Sequence, residues 1–285
     1  MALSPGDPNS HSRPDLILTT NLEFDWTVDF SSQSVSGVVI ISCRRLVTST
    51  RELLLDTNNL SIERVRYNGV TELSHVQGEA GSCGAVLTIT LPGDCEDEFS
   101  VSVQYSTSPL SPALVWLTKH QTAGLQQPFM FSQGTTISCH LSNIFFQGQA
   151  ILNRALFPCQ DTPAVKTPFQ ATVRVDKRVS AVMSALSVAD PVTRDDDVRE
   201  YKFSQPIPIP SYLVAIAVGD LTSRELGPRS RVYAEHEYID KAAHDFSDTE
   251  AQLNIAEQLC GPYLWTRLIK LYLIDVIMFI MSCQV

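Results

Sequence analysis

The sequence has little positive charge and no basic cluster. Its 285 residues contain 21 Lys and Arg against 31 Asp and Glu, which gives a net charge of −10. The stretch nearest to a cluster that we consider, residues 229–231, holds only two arginines. A nucleic-acid backbone is bound by clustered Lys and Arg, so the composition argues against a nucleic-acid partner. We expect an acidic, solvated surface instead.

Paired cysteine motifs and a secretory signal are also missing. The seven cysteines are odd in number and scattered in spacing, and they contain no Cys-x-x-Cys pair. This pattern fits free thiols in a reducing compartment and excludes a cysteine zinc cluster. Residues 1–15 are rich in Pro, Ser and Asp and have no apolar core, which predicts a disordered lead-in without a signal peptide. The sequence therefore predicts a cytoplasmic protein.

Common catalytic motifs are absent as well. There is no Gly-x-Ser-x-Gly elbow and no glycine-rich phosphate loop after a strand. His236 and Glu237 begin like the helical zinc motif His-Glu-x-x-His, but position 240 is Asp240, and His244 lies too far along to share the ion. No metal site is expected there. Cys159 stands in an apolar run and is predicted to be a buried, inert thiol.

Residues 16–220 contain short apolar runs with the two-residue period of β-strands. The clearest is Leu22–Phe30, where Leu, Phe, Trp, Val and Phe alternate with polar residues. Asn68-Gly69 is typical of a hairpin turn. Further runs cover residues 38–42, 60–67, 85–91, 99–105 and 170–220. This spacing predicts antiparallel sheets or a sandwich, with no helix before residue 240.

The hydrophobic period becomes helical from Ile239 onward. Ala242, Phe246 and Leu253 are spaced for one face of a helix. A serine at position 247, followed three residues later by Glu250, predicts a capping box at a helix start. Residues 221–265 are therefore predicted to open a helical domain.

The last segment, residues 266–285, is unusually apolar. Leu268–Met281 is short for a membrane span, and it contains Lys270 and Asp275, which are costly in hydrocarbon. A buried strand or helix is the favoured interpretation, and a membrane-anchoring segment is the alternative. We expect no membrane partner.

Gln147 and Gln149 form the most suggestive polar pair. On an extended chain, two amides two residues apart point to the same side, and each offers a donor and an acceptor. Such a pair can hold the backbone of a peptide. The alternative is a solvated strand face.

The stretch from Arg154 to Phe169 carries a resemblance to a known family. Its pattern, Arg-x-x-Phe-Pro-Cys-x-Asp-x-Pro-x-x-Lys-x-x-Phe, resembles the signature of the M1 zinc aminopeptidases, and the segments at 208–215 and 219–220 agree. The similarity covers roughly residues 20–265. It implies a mainly β N-terminal domain of antiparallel sheets, saddle- or sandwich-like, followed by the start of an α-helical, thermolysin-like catalytic domain.

The resemblance also implies an activity. Members of the family are zinc hydrolases that remove N-terminal residues from short peptides, and one cytosolic branch also opens a lipid epoxide with water. Segments 53–69 and 246–259 favour that branch over a neighbouring peptidase branch. In the family, the stretch corresponding to Gln147, Gly148 and Gln149 lines the cleft and contacts the peptide or lipid-epoxide substrate. The alternative from a different functional class is a module without catalytic activity that binds or regulates a partner.

Two departures from the family pattern lead to further expectations. The family's zinc ligands and catalytic Tyr are absent from the 285 residues, and the tail at 266–285 resembles nothing in the family, so this chain alone is expected to be inactive. Residues 131–134 and 145–148 are near copies, which predicts an insertion at 131–144.

Overall fold

The computed structural model describes residues 6–133, 151–195, 197–265 and 267–272. Strands dominate, and the two α-helices come after most of them. The helices are α1 (Ile239–Asp245) and α2 (Thr249–Cys260). The strands are β1 (Ile17–Asp29), β2 (Ser34–Arg45), β3 (Glu52–Thr57), β4 (Leu60–Tyr67), β5 (Thr71–Glu72), β6 (His75–Gln77), β7 (Ala85–Thr90), β8 (Glu98–Thr107), β9 (Leu114–Leu117), β10 (Phe129–Ser132), β11 (Lys166–Asp176), β12 (Ser180–Met183), β13 (Leu186–Ser187), β14 (Val192–Asp195), β15 (Val198–Pro210), β16 (Ile216–Gly219), β17 (Leu221–Glu225), β18 (Ser230–Glu235) and β19 (Leu268–Leu271).

The main sheet has nine strands in the order β13-β15-β11-β1-β2-β8-β4-β5, with β14 paired to β15. Strand β1 buries alternate residues, as its sequence predicts, and Trp26 at its centre is fully buried. The Trp26 indole N–H donates to the Tyr105 hydroxyl at 2.8 Å, so this large ring is buried with its polar atom paired. Most pairings are antiparallel, as predicted, but β1 and β11 run parallel.

Three smaller sheets complete the strand structure of the described residues. Their orders are β12-β16-β10-β9, β3-β7-β6 and β17-β18-β19. The first and last of them share a small apolar core that contains Phe131, Ala217 and Ile269. A mainly β domain followed by helices is therefore confirmed.

Strand pairing continues beyond the predicted boundary near residue 220. Strands β17 and β18 form an antiparallel hairpin directly after it, and the first helix begins at Ile239, where the period changes. Residue 220 thus marks a change from one sheet to the next rather than the end of β structure.

The predicted capping box is wrong. The residue before α2 is Asp248, and no side chain caps the helix. Glu250 instead accepts the backbone N–H of Arg229 at 2.9 Å and the hydroxyl of Ser230 at 2.7 Å. Glu250 therefore bonds the loop at Arg229 and Ser230 instead of the backbone at the start of its own helix.

The N-terminal lead-in is corrected from Ser10 onward. Ser10 and Ser12 are fully buried. The Ser10 hydroxyl donates to Asp56 at 2.6 Å, and the backbone N–H of His11 donates to the same carboxylate at 2.7 Å. The composition of this segment predicted disorder. It could not reveal the buried contact, because the partner, Asp56, lies 46 residues away from Ser10 in the sequence.

The predicted insertion cannot begin at residue 131. Phe131 and Ser132 are regular members of β10, which pairs with β9 on one side and β16 on the other. The Ser132 hydroxyl also accepts the backbone N–H of Ile216 at 2.9 Å. Residues 134–144 lie outside the described residues, so an insertion in that range stays a prediction.

The apolar tail begins with a strand. Strand β19 runs parallel to β18, and three of its four residues are apolar. Its Lys270 is also buried, with the ammonium 4.3 Å from the centre of the Phe246 ring. Among the described residues, no helix combines the length and apolarity needed to cross a membrane.

Glu200 joins three strands of the main sheet. Its buried carboxylate accepts from Arg194 on β14 at 2.7 Å and from Arg174 on β11 at 3.1 Å, and Arg174 also contacts Asp25 on β1. The hydrogen bond from Arg194 outweighs the effect of burial and, together with Arg174, holds the pKa of Glu200 below its ordinary value. Because the folded pKa is depressed, this stabilisation is present above the unfolded pKa, about 4.3. It is lost as the pH falls through the folded value.

We expect Glu200→Gln to lower the free energy of unfolding by about 1 kcal/mol at neutral pH. The difference from wild type should shrink as the pH falls from about 4.3 through the lower folded pKa, because below that value both proteins are uncharged at this position. Urea denaturation at several pH values measures it. Glu98→Gln is the control, since the Glu98 side chain is 73% exposed and its pair with Arg44 lies in solvent. A pH-independent loss at Glu200 would contradict the electrostatic explanation.

Candidate functional site

The proposed substrate-contacting residues, Gln147, Gly148 and Gln149, lie outside the described residues. The structure does describe the chain that follows them, from residue 151 onward, which carries the signature. This segment crosses from β10 to β11 and contacts several sheets on the way. Contacts with these sheets hold the signature in place.

Arg154 forms the centre of a buried ionic network. Only 1% of its side chain is exposed, and its guanidinium lies between two fully buried carboxylates. Its Nε donates to Oδ2 of Asp161 at 2.9 Å, and Nη1 lies 3.7 Å from Oδ1 of Asp56. Two further N–H groups donate to the backbone carbonyls of Cys83 and Asp161. A guanidinium buried in this way is stabilised because three of its five N–H donors form hydrogen bonds and two carboxylates lie beside it.

Each carboxylate of the network has partners of its own. Ser211 donates its hydroxyl to Oδ1 of Asp161 at 2.6 Å. The backbone N–H of Asp161 donates to Oδ2 of Asp56 at 3.1 Å, and the Ser10 hydroxyl donates to the same oxygen. Asp56 lies at the end of β3, and Ser211 directly follows β15. The network thus connects the N-terminal segment, β3, the signature and the end of β15.

The electrostatics of the network follow from its burial. Burial alone would lower the pKa of Arg154, but Asp56 and Asp161 reverse this effect and raise the pKa. Burial raises the pKa of Asp161, and the bonds from Arg154 and Ser211 only partly oppose it. The two carboxylates thus hold Arg154 in its charged form, and Arg154 is the group that makes two buried carboxylates tolerable.

Neighbouring amides extend the same anchorage. The Asn153 amide donates to the carbonyls of Ser211 and Val214, at 2.5 and 2.7 Å. The Gln160 side chain accepts the backbone N–H of Thr19 and donates to the carbonyl of Ile17. These bonds tie the signature to β1 and to the turn after β15.

Cys159 is a structural residue, as predicted. Its side chain is buried, and burial raises the pKa of the thiol well above its usual value. Its backbone exchanges two hydrogen bonds with Asp56. A neutral, inaccessible thiol is not a nucleophile.

The sequence did not reveal the partners of Arg154. Asp56 and Ser211 are far from the signature in the chain, and neither belongs to a motif. One signal was available for Asp56, which ends the run Leu-Leu-Leu-Asp. A carboxylate that continues a buried apolar strand requires a cation beside it.

The described residues do not fit a zinc ion. No group of three or more His, Cys, Asp or Glu side chains in this part of the chain is arranged to hold a metal. His236, the residue closest to a zinc motif in the sequence, lies on the surface 3.5 Å from Asp220.

Comparison with known proteins decides the family. The sequence profile of the Peptidase M1 N-terminal domain matches residues 14–213, which is more than half of the chain. The chain belongs to this family. The matched range begins just after Ser10 and His11, which bond Asp56, and ends at the turn that contains Ser211. It therefore includes nearly all of the strands and loops that contribute to the ionic network.

Relatives from the M1 family match most of this chain. Leukotriene A-4 hydrolase of Xenopus laevis is 36% identical over 91% of the chain and 41% of its own length. Leucine aminopeptidase 2 of Yarrowia lipolytica is 37% identical over 92% of the chain and 37% of its own length. The structure of native yeast LTA4 hydrolase superposes with a TM-score of 0.81 at 31% identity, covering 93% of this chain and 39% of that one. The chain thus spans about two-fifths of these M1 proteins.

A more distant M1 structure shares the fold. It is a two-domain M1 zinc metallopeptidase, with a TM-score of 0.69 at 18% identity.

Proposed function

We propose that these residues form the N-terminal, cleft-lining part of a cytoplasmic zinc hydrolase of the leukotriene A4 hydrolase type. In the complete enzyme the substrates are short peptides, from which N-terminal residues are removed, and the lipid epoxide leukotriene A4. The similarity to leukotriene A-4 hydrolase and leucine aminopeptidase 2 over nine-tenths of the chain supports this assignment. An aminopeptidase B-like peptidase is the alternative, which the segments QGQAILNRA and GPRSRV also suit.

The anchorage of Arg154 is the observation that carries the proposal. Gln149 lies five residues before Arg154 in the sequence. The buried network fixes the chain at Asn153 and Arg154, so the segment that follows Gln149 in the sequence is held in place. Side chains that bind substrate need such support, since a misplacement of about 1 Å weakens catalysis strongly. The two amides would then bind the backbone of a peptide.

We expect Gln147→Ala and Gln149→Ala each to reduce kcat/KM by about 10- to 100-fold, because each removes a hydrogen bond to the substrate. The test is a chimera in which residues 1–265 replace the matching part of Xenopus laevis leukotriene A-4 hydrolase. Hydrolysis of an alanyl reporter is the readout, and zinc content should stay unchanged.

Gln133→Ala is the matched control. Gln133 occupies the equivalent place in the first of the two near-copies, 131–134, and its backbone N–H donates to the carbonyl of Ala113 at the end of β10. Its replacement should change kcat/KM by less than about twofold. A large effect at Gln133 with none at Gln147 and Gln149 would mean that the first copy, not the second, reaches the cleft.

The 285-residue chain by itself, without the part of the Xenopus laevis enzyme that completes the chimera, is the third sample of this experiment. It contains no His-Glu-x-x-His sequence, so we expect no chelator-sensitive hydrolysis of the alanyl reporter, with or without added zinc. Activity in this sample would contradict the assignment of the zinc site to another part of the enzyme. A chimera that folds and binds zinc but stays inactive would favour a non-catalytic module.

A further inference from the structure

A cavity of about 790 Å³ lies between strands of the main and four-stranded sheets on one side and the sheet formed by β17, β18 and β19 on the other. One wall comes from β12, β13 and β15, and the other comes from β17, β18 and β19. Its size lies within the range of small-molecule sites in proteins. The cavity is formed by residues from both parts of the chain, since one wall precedes residue 220 and the other follows it.

The walls combine arginines with apolar and aromatic groups in a repeated order. On β15 the cavity is lined by Arg199 and Tyr201, and on β18 by Arg231 and Tyr233. Ile269 on β19 lines it as well, two residues after Arg267. Alternate residues of a strand point to the same side, so each strand presents an arginine followed by a bulky side chain toward the same space.

Positively charged side chains outnumber negatively charged ones around the cavity. Arg231 and Arg267 both bind the carboxylate of Glu225, Arg267 at 2.9 Å. Asp190 is the other carboxylate at the cavity, and Arg199 forms no ion pair within the described residues. Three guanidinium groups thus meet two carboxylates, which leaves one positive charge in a chain whose net charge is −10.

The aromatic groups are arranged to hold an apolar body. The rings of Tyr201 and Phe203 are stacked on β15, with centroids 6.2 Å apart and planes within 5°. Tyr201 is buried, and its hydroxyl lies 3.5 Å from a guanidinium nitrogen of Arg199. The polar and apolar parts of this wall are therefore adjacent, as a ligand with one charged end requires.

We infer that this cavity binds a small organic anion, in which a carboxylate or phosphate is attached to an aromatic or aliphatic body. Guanidinium groups bind both oxyanions with paired hydrogen bonds, and the tyrosine and isoleucine side chains bury the apolar part. A simple inorganic anion would leave the apolar wall unused, and a neutral molecule would leave Arg199 without an anionic partner.

The test uses 4-phenylbutyrate and phenyl phosphate as probes and the 285-residue chain with a solubility fusion. Titration calorimetry should show saturable binding of at least one of the two, and the comparison decides between carboxylate and phosphate. 4-Phenylbutylamine and 4-phenylbutanol, with the same ring and no negative charge, should bind at least about tenfold more weakly. Affinity should also fall as the salt concentration rises from about 0.05 to 0.3 M.

Two variants locate the site. Arg199→Gln should weaken binding of the anionic probe by about tenfold or more, and Tyr233→Leu should weaken it by about threefold or more. Arg44→Gln is the control, because Arg44 is exposed on β2 and does not line the cavity. Thermal unfolding verifies that all variants are folded. Absence of binding, equal binding of the amine, or equal effects of the Arg199 and Arg44 variants would overturn the inference.

Discussion

Replacing Arg154 by methionine is expected to lower the free energy of unfolding by about 3–5 kcal/mol. Methionine fills much of the same volume, so the main loss is the positive charge between Asp56 and Asp161. Both carboxylates are fully buried. Without Arg154 they repel one another where water cannot screen them. Urea denaturation followed by tryptophan fluorescence measures the change, because Trp26 lies in the core of the same domain.

Arg44→Met is the matched control for Arg154→Met. Arg44 also bonds a carboxylate, that of Glu98, but both side chains are more than half exposed. We expect a loss below about 1 kcal/mol there. Adding Asp161→Asn to Arg154→Met should restore part of the stability, because it removes one of the two uncompensated charges. A loss at Arg154 no larger than that at Arg44 would show that the network does not anchor the signature.

The second large effect is expected at Gly84, which lies beside the same network. Its backbone has φ +78°, and a Cβ atom would lie 2.3 Å from the carbonyl oxygen of Thr57 and 3.2 Å from Cδ of Arg154. The backbone of β3 and the buried guanidinium cannot both move aside. Gly84→Ala should therefore lower the free energy of unfolding by about 3 kcal/mol or more, through overpacking added to conformational strain.

Gly69→Ala separates the two causes. Gly69 has nearly the same conformation, φ +74°, but no atom lies within 4 Å of the position that a Cβ atom would take. Only the conformational cost of about 1 kcal/mol remains there. Thermal and urea unfolding of the two variants gives the difference. Equal losses at Gly84 and Gly69 would mean that the network tolerates displacement, which would weaken the argument that it anchors the signature.

Patterns that depend on neighbouring residues were predictable from the sequence. The alternation of Leu22–Phe30 fixes which face of β1 is buried, since side chains of a strand point to opposite faces in turn. The change of period at Ile239 places the first helix correctly. The apolar neighbours of Cys159 indicate a buried thiol. The signature from Arg154 to Phe169 also identifies the family. Its residue types and spacing are specific enough to do so without knowledge of any tertiary contact.

Interactions between residues far apart in the chain were decided only by the tertiary structure. Asp56 and Ser211 reach Arg154 because β3 and the turn after β15 fold onto the signature, which no local pattern encodes. The same reason explains why Glu250 bonds the Arg229 loop instead of capping α2. The sequence by itself therefore determined the strand-rich class, the family and the position of the signature. The partners that anchor the signature, the parallel pairing of β1 with β11 and the arginine-lined cavity depend on long-range packing, since each arises where separately encoded segments meet.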